Sequence, residues 1–96
     1  MAVLDEEEVR RRLGALPFWR WADGAIHRSY RFRDFVEAMG FVQQVALLAE
    51  KADHHPDVLV RYNEVTLTLA THSEGGVTEK DLEMAERIER RLSPAE

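Results

Sequence analysis

Three of the four histidines of this 96-residue chain stand where they could transfer protons. His54 and His55 are adjacent, with Glu50 before them and Pro56 directly after, and His72 follows a later apolar stretch. Imidazoles titrate near neutral pH and are the commonest proton-transfer groups, and each positioned one contributes roughly 10²–10⁴-fold in rate. These residues therefore indicate a candidate acid/base site.

The first group is expected to lie at the end of a helix. If the helix persists through its last turn, Glu50 and His54 form an i, i+4 pair in which the carboxylate orients the imidazole. Pro56 is expected to stop the helix and to hold His55 extended, because a residue before proline avoids the α region. The two imidazoles would then contact different atoms of one ligand.

Local sequence leaves three interpretations of this segment open. It could be a polar helix terminus and no more. It could hold a metal, since histidine and carboxylates bind zinc and iron, although adjacent histidines lack the i, i+4 spacing of an H-E-x-x-H site. The third interpretation is acid/base catalysis. The fourth histidine, His27, lies in an alternating stretch and is expected to be a strand residue and not a ligand.

The elements that position these residues follow from hydrophobic periodicity. The predicted order is α-β-β-α-β-β-α: a helix at about residues 5–13, a hairpin around Asp23-Gly24, a central helix from Asp34, strands at 58–60 and 65–71, and a last helix capped by Thr78. This order predicts an α+β domain of residues 1–96, with a four-stranded antiparallel sheet and helices packed on one face. We expect residues 90–96 to be a frayed tail.

One face of the predicted sheet has nothing in the chain to cover it. In the fourth strand Val65 and Leu67 alternate with Thr66 and Thr68, so the threonines would lie on the uncovered face. Exposed strand edges also invite pairing with another chain. We therefore expect a homodimer at least, formed through strand edges or this open face.

Composition narrows the classes of function. The formal net charge of −5 argues against a protein that grips nucleic acid, and the basic triplet Arg10–Arg12 follows acidic residues in a pattern typical of one solvated helix. The chain has no cysteine, which excludes disulfides and thiolate metal sites. No segment is typical of a signal peptide or a membrane span, so a cytoplasmic location without membrane attachment is expected.

The spacing of the polar residues resembles a known signature. The run Glu50-x-x-x-His54-His55-Pro56, followed at fixed spacings by Tyr62, His72 and Asp81, resembles that of the pterin-4a-carbinolamine dehydratase family. Upstream segments that include Trp19-Arg20-Trp21 and Phe41-Val42 are also similar to the family. The resemblance covers about residues 16–88, and Trp21 departs from it by replacing an aliphatic residue.

The resemblance implies an activity and roles for residues. The activity is dehydration of 4a-hydroxytetrahydropterin to quinonoid dihydropterin, without metal or organic cofactor, which recycles the pterin for aromatic amino acid hydroxylases. The implied catalytic residues are His54, His55 and His72; the implied supporting and pterin-binding residues are Glu50, Asp53, Pro56, Asp81 and Trp19.

The resemblance also implies dimers or tetramers, and it allows a non-enzymatic alternative. Some family members act as dimerisation partners of a homeodomain transcription factor or as assembly chaperones. The chain could therefore be an interaction module on the same fold. Three placed imidazoles favour the enzyme, because a scaffold does not need them.

Overall fold

The helices and strands follow the predicted order in the computed structural model, which describes residues 2–92. Their bounds are α1 Glu6–Arg12, β1 Arg20–Ala22, β2 Ala25–Arg31, α2 Phe35–Ala52, β3 Asp57–Arg61, β4 Glu64–Leu69 and α3 Glu79–Arg91. Helix α3 thus includes the first two residues of the expected frayed tail, and residues 93–96 lie outside the described part. No helix within residues 2–92 is long and apolar enough to cross a membrane.

Each helix begins at a residue whose side chain accepts a hydrogen bond from the first turn. Asp5 accepts from the Glu8 N–H at 2.9 Å, and Asp34 accepts from the Glu37 N–H at the same distance. Helix α3 begins with a full capping box, described below with the site. These caps satisfy N–H groups that have no partner inside the helix, so the predicted helix starts are confirmed.

The four strands form one antiparallel sheet in the order β1-β2-β4-β3. The first hairpin turns at Asp23 and Gly24, which both have positive φ (53° and 74°), as a two-residue hairpin of this kind requires. The second turns at Tyr62, also at positive φ. Strands β1 and β3 are the two edges, and β3 leads directly out of the histidine segment.

The two faces of the sheet differ in chemistry. The inner face packs Ile26, Val65, Leu67 and Leu69 against the helices, and all four are fully buried. The outer face carries polar cross-strand pairs: Ser29 with Thr66 at 2.7 Å, and His27 with Thr68 at 2.9 Å. His27 is therefore a strand residue, as predicted, and the helices lie on one face only.

A buried polar cluster joins the middle of the sheet to the second half of α3. The carboxylate of Glu89 accepts from the Trp19 indole N–H at 2.9 Å and from the Tyr30 hydroxyl at 2.7 Å, and it forms an ion pair with Arg28. The Arg28 guanidinium lies over the rings of Phe18 and Tyr30, 4.6 and 4.0 Å from their centroids. Burial raises the pKa of Tyr30, so its hydroxyl stays protonated and donates to Glu89.

Helix α1 uses its basic triplet in ion pairs. Arg10 pairs with Glu6 at 2.7 Å along the helix, and Arg12 pairs with Glu79 at the start of α3 through two hydrogen bonds of 2.7 and 2.9 Å. The pKa of Glu79 is lowered by this hydrogen-bonded guanidinium. The triplet thus belongs to a solvated helix, as its pattern predicted.

Candidate active site

The end of helix α2 is determined by Asp53 and not, as predicted, by Pro56. Asp53 has φ 52° and ψ 42°, the left-handed conformation that commonly closes a helix. The N–H of His54 donates to the Ala49 carbonyl at 3.1 Å and that of Asp53 to the Glu50 carbonyl at 3.2 Å, which together form a Schellman motif. The chain therefore leaves the helix axis before it reaches His54.

This early turn changes how the histidines pair with carboxylates. The predicted Glu50–His54 pair is wrong, because the two residues do not share a helical turn. Instead the Nε2 atom of His54 lies 2.6 Å from Asp81 Oδ1 at the start of α3, and that of His55 lies 2.8 Å from Glu50 Oε1. Each of the two adjacent imidazoles thus has its own carboxylate.

Asp81 holds His54 and caps α3 at the same time. Its side chain is 0% exposed, and its second oxygen accepts from the Thr71 hydroxyl at 2.8 Å and from the Thr78 N–H at 2.9 Å. An ionised carboxylate only accepts hydrogen bonds, so we assign the proton of the His54 contact to Nε2. This assignment leaves Nδ1 of His54 as the nitrogen that can exchange a proton with a ligand.

The two carboxylate–histidine pairs differ in exposure. The side chain of His54 is 12% exposed and rests on a fully buried partner. His55 and Glu50 are 56% and 81% exposed, and surface pairs of this kind contribute little because water competes with them. His54 is accordingly the firmly oriented imidazole of the two.

His72 enters the site from the loop that follows β4. Thr71 exchanges backbone hydrogen bonds with Gly76, and Gly75 takes a positive φ of 82° to close the turn between them. Because the Thr71 side chain is bonded to Asp81, the backbone before His72 is anchored to the same carboxylate as His54. The His72 side chain is exposed and makes no hydrogen bond with a residue in the range 2–92.

The three histidines line one cleft of about 240 Å³, whose wall also includes Asp53, Thr71 and Lys80. Of the predicted supporting residues, Asp81 lies behind His54 and Glu50 reaches the cleft through His55. Pro56 follows His55 and leads into β3, outside the lining. Within residues 2–92 no group of three or more histidine, cysteine or acidic side chains is placed to hold a metal ion.

The structure does not bring Trp19 to this cleft. Trp19 is 4% exposed and bonds to Glu89, which lies eight residues along α3 from Asp81. At 1.5 Å per residue this separation is about 12 Å along the helix. The role of Trp19 as a wall of the pterin pocket therefore stays a prediction without support from a contact in this chain.

Sequence reasoning missed two residues of the site, Thr71 and Lys80. Thr71 links Asp81 to the His72 loop, and its hydroxyl also lies 2.7 Å from that of Thr78. Its position directly before His72 was the available signal. Lys80 lies between the capping residues Thr78 and Asp81, so the sequence pattern predicts only that it belongs to the first turn of a helix.

Comparison with known proteins identifies the family. The family model described as pterin 4 alpha carbinolamine dehydratase matches residues 2–91. The chain belongs to the pterin-4-alpha-carbinolamine dehydratase family. A family member from Mycolicibacterium smegmatis, which carries the provisional name pterin-4-alpha-carbinolamine dehydratase, is 48% identical over 93 residues, 97% of this chain and 99% of the relative.

Two solved structures have a fold similar to that of this chain. A crystal structure described as a transcriptional coactivator/pterin dehydratase from Brucella melitensis matches with a TM-score of 0.87 and 48% identity, over 95% of this chain and 99% of that one. A pterin dehydratase-like protein described as a RuBisCO assembly factor of the alpha-carboxysome matches with a TM-score of 0.66 over 80% of this chain and 92% of that one. At 19% identity, the second match shows the fold alone.

Proposed function

We propose that this protein dehydrates 4a-hydroxytetrahydropterins to quinonoid dihydropterins by histidine acid/base catalysis. The observation that carries the proposal is the cleft lined by three imidazoles, one of them fixed by the buried carboxylate of Asp81. Membership of the dehydratase family supports the same reaction. In the cell the activity would return tetrahydrobiopterin or a related pterin to the cycle used by aromatic amino acid hydroxylases.

The reaction requires one proton donor and one proton acceptor. The bond from C4a to the hydroxyl oxygen breaks, and the oxygen leaves as water after it receives a proton. The N5–H bond breaks, and its proton goes to a base. The electrons that stay on N5 allow the C4a=N5 double bond to form. Two imidazoles in different protonation states can perform both transfers near neutral pH, so His54, His55 and His72 suffice without a metal or an organic cofactor.

The buried contact of His54 supports a role in this proton exchange. A carboxylate behind an imidazole fixes its tautomer and stabilises the imidazolium that forms when the opposite nitrogen accepts a proton. Asp81 stands in this relation to His54, while the exposed His72 can approach the ligand from another wall of the cleft. Glu50, Asp53 and Pro56 would then position His55 at the rim.

We expect the purified protein to accelerate dehydration of enzymatically generated 4a-hydroxytetrahydropterin in the presence of a metal chelator. The residues of the cleft supply donors and acceptors, so the rate with chelator should equal the rate without it. The measurement follows the ultraviolet absorbance of the quinonoid product against the spontaneous reaction. Activity that disappears with chelator and returns with zinc would contradict the proposal and favour a metal site.

We also expect the protein to be at least a homodimer. The outer sheet face carries polar pairs on its two middle strands, but the edge strand β3 exposes Val58 and Leu59, at 42% and 55%. Leu59 lies opposite Thr66 and therefore on the outer face, and the far edge of β3 pairs with no other strand of residues 2–92. Burying this edge against a second chain would remove both from water. Light scattering at low micromolar concentration should give a mass at least twice the 11.1 kDa of one chain. Leu59→Lys should shift the protein toward a monomer, and a monomeric wild type would contradict the expectation.

A second candidate function is that of a protein-binding module. The Brucella melitensis relative, at 48% identity, is described as both a coactivator and a pterin dehydratase. On α2 the apolar side chains of Val36, Met39 and Leu47 are exposed at 78%, 41% and 64%, and their spacing places them on one side of the helix. This stripe is available to a partner without use of the histidine cleft, so the two functions are compatible.

A further inference from the structure

A second cavity adjoins the histidine cleft and has a different chemistry. It measures about 370 Å³, and its lining includes Lys51, His54, Lys80 and Arg87. His54 and Lys80 line both cavities, so the two spaces adjoin at these two side chains. A ligand that occupies the cleft can therefore extend past His54 into the second cavity.

The cations of this cavity come from two helices. Lys51 lies in the last turn of α2, Lys80 in the first turn of α3, and Arg87 two turns further along the same side of α3. Lys51 and Lys80 are the two lysines of the entire chain, so both converge on this cavity although the protein has a net charge of −5. The lining contains one carboxylate, that of Glu83, so the three cations give the cavity a local excess of positive charge.

These three cations are also available to a ligand. All three are exposed, and none forms an ion pair with another residue of the described range 2–92. Other arginines of the chain, such as Arg10, Arg12 and Arg90, are engaged by carboxylates. Unpaired lysine and arginine around a concave space suit a phosphate or carboxylate, with lysine as a point charge and arginine as a two-pronged donor.

We propose that this cavity is a subsite for an anionic group carried on the C6 substituent of the pterin. The inference rests on the proposed function, since it places the pterin ring in the histidine cleft and the substituent beyond His54. It assigns the preferred substrate class to pterins whose tail ends in a phosphate ester or a carboxylate. Lys51, Lys80 and Arg87 would determine this preference without taking part in proton transfer.

The test compares stable 7,8-dihydropterins that differ only at the end of the C6 tail. Calorimetry measures the binding of one with a neutral polyhydroxyalkyl tail, one with its phosphate monoester and one with a carboxylate-ended tail. We expect at least one anionic form to bind roughly 10-fold more tightly than the neutral form at low salt, and the preference to shrink as ionic strength rises. The phosphate and carboxylate arms identify which anion the cavity prefers.

Substitutions of the lining cations test whether they cause the preference for anionic tails. Arg87→Met and Lys51→Met should each reduce the ratio of anionic to neutral affinity several-fold. Arg90→Met removes the same charge from an exposed position of the same helix that does not line the cavity, and it should keep the ratio. Melting temperatures of all variants establish that they are folded.

Three outcomes would overturn the inference. Equal affinity for neutral and anionic tails would refute the subsite while leaving the dehydratase proposal intact. Inorganic phosphate that binds as tightly as the phosphorylated pterin would identify a separate anion site unrelated to the tail. If none of the pterins binds and the dehydration assay is also negative, the proposed function itself fails and the subsite fails with it.

Discussion

His72→Ala is expected to lower the dehydration rate by roughly 10²-fold or more while the melting temperature stays nearly constant. A rate loss of this size is typical when a positioned acid or base is removed. Stability should hardly change because His72 is exposed and its side chain makes no hydrogen bond within the described residues. Steady-state kinetics and a thermal melt of the same preparation measure both quantities.

His54 requires a more conservative change, since alanine would remove a hydrogen bond to the buried Asp81. His54→Gln can keep an N–H donor near the position of Nε2 but has no second ring nitrogen. We expect a similar rate loss, with a stability change within about 1 kcal/mol, the scale of one hydrogen bond. A glutamine variant that retains the wild-type rate would refute the catalytic assignment of His54. An equal collapse of stability and activity in both variants would favour a structural role of the two histidines.

Asp81→Asn tests the orientation of His54 separately. The asparagine oxygen can still accept from Thr71 and Thr78, so its amide N–H₂ would face His54 and demand the opposite tautomer. We expect a rate loss of at least roughly 10²-fold, because the proton would then lie on the nitrogen that has to receive it. A change of the pH–rate profile should accompany the loss, which a purely structural role of Asp81 would not produce.

Glu89→Leu is expected to lower the free energy of unfolding by about 3 kcal/mol. Removing one partner of a buried ion pair costs roughly 3–5 kcal/mol, and the low end applies because the Glu89 side chain is 21% exposed. The change takes the carboxylate from the buried guanidinium of Arg28 and an acceptor from both Trp19 and Tyr30. A melting temperature lower by more than about 10 °C should result for a domain of this size.

The matched control is Glu86→Leu on the same helix. Glu86 pairs with Arg90 at 2.8 Å, but both side chains are more than half exposed, so its removal should change stability by no more than about 0.5 kcal/mol. Equal effects of the two substitutions would contradict a special role for the buried cluster. Urea denaturation of the three proteins provides the comparison.

The loss of stability caused by Glu89→Leu should also depend on pH. Burial alone would raise the pKa of this carboxyl, but hydrogen bonds from Tyr30, Arg28 and Trp19 outweigh burial and lower it. A carboxyl whose pKa is lowered by folding contributes its full stability above the ordinary value of 4.5, and the contribution is lost as pH falls through the lowered pKa. The stability difference between wild type and Glu89→Leu should therefore narrow below about pH 4.5.

The sequence was sufficient for the elements because their signals are local. Asp34 and Thr78 mark helix starts, and the alternation of Val65, Leu67 and Leu69 identifies a half-buried strand. The signature spacing identified the three histidines, which the fold brings to one cleft. The helices and strands need only periodicity and capping chemistry, whereas the choice of the three histidines depended on the resemblance to the family signature.

The pairing of side chains could not be predicted from spacing. Asp53 takes the left-handed conformation one residue before His54, and this single turn replaces Glu50 by Asp81 as the partner of His54. The contact between Trp19 and Glu89 joins residues 70 positions apart. Helical spacing describes neighbours on one helix, whereas these contacts depend on how helices dock on the sheet.

The double role of Asp81 bears on how this family can diverge. Its carboxylate holds the first turn of α3 as well as His54, whereas the side chain of His72 makes no hydrogen bond within residues 2–92. A descendant that abandons catalysis and survives as a binding scaffold is free to replace His72, but replacing Asp81 would weaken the helix on which the scaffold depends. A relative that has lost catalysis should therefore keep the aspartate of position 81 for folding, whereas the histidine of position 72 should be kept only where catalysis is retained.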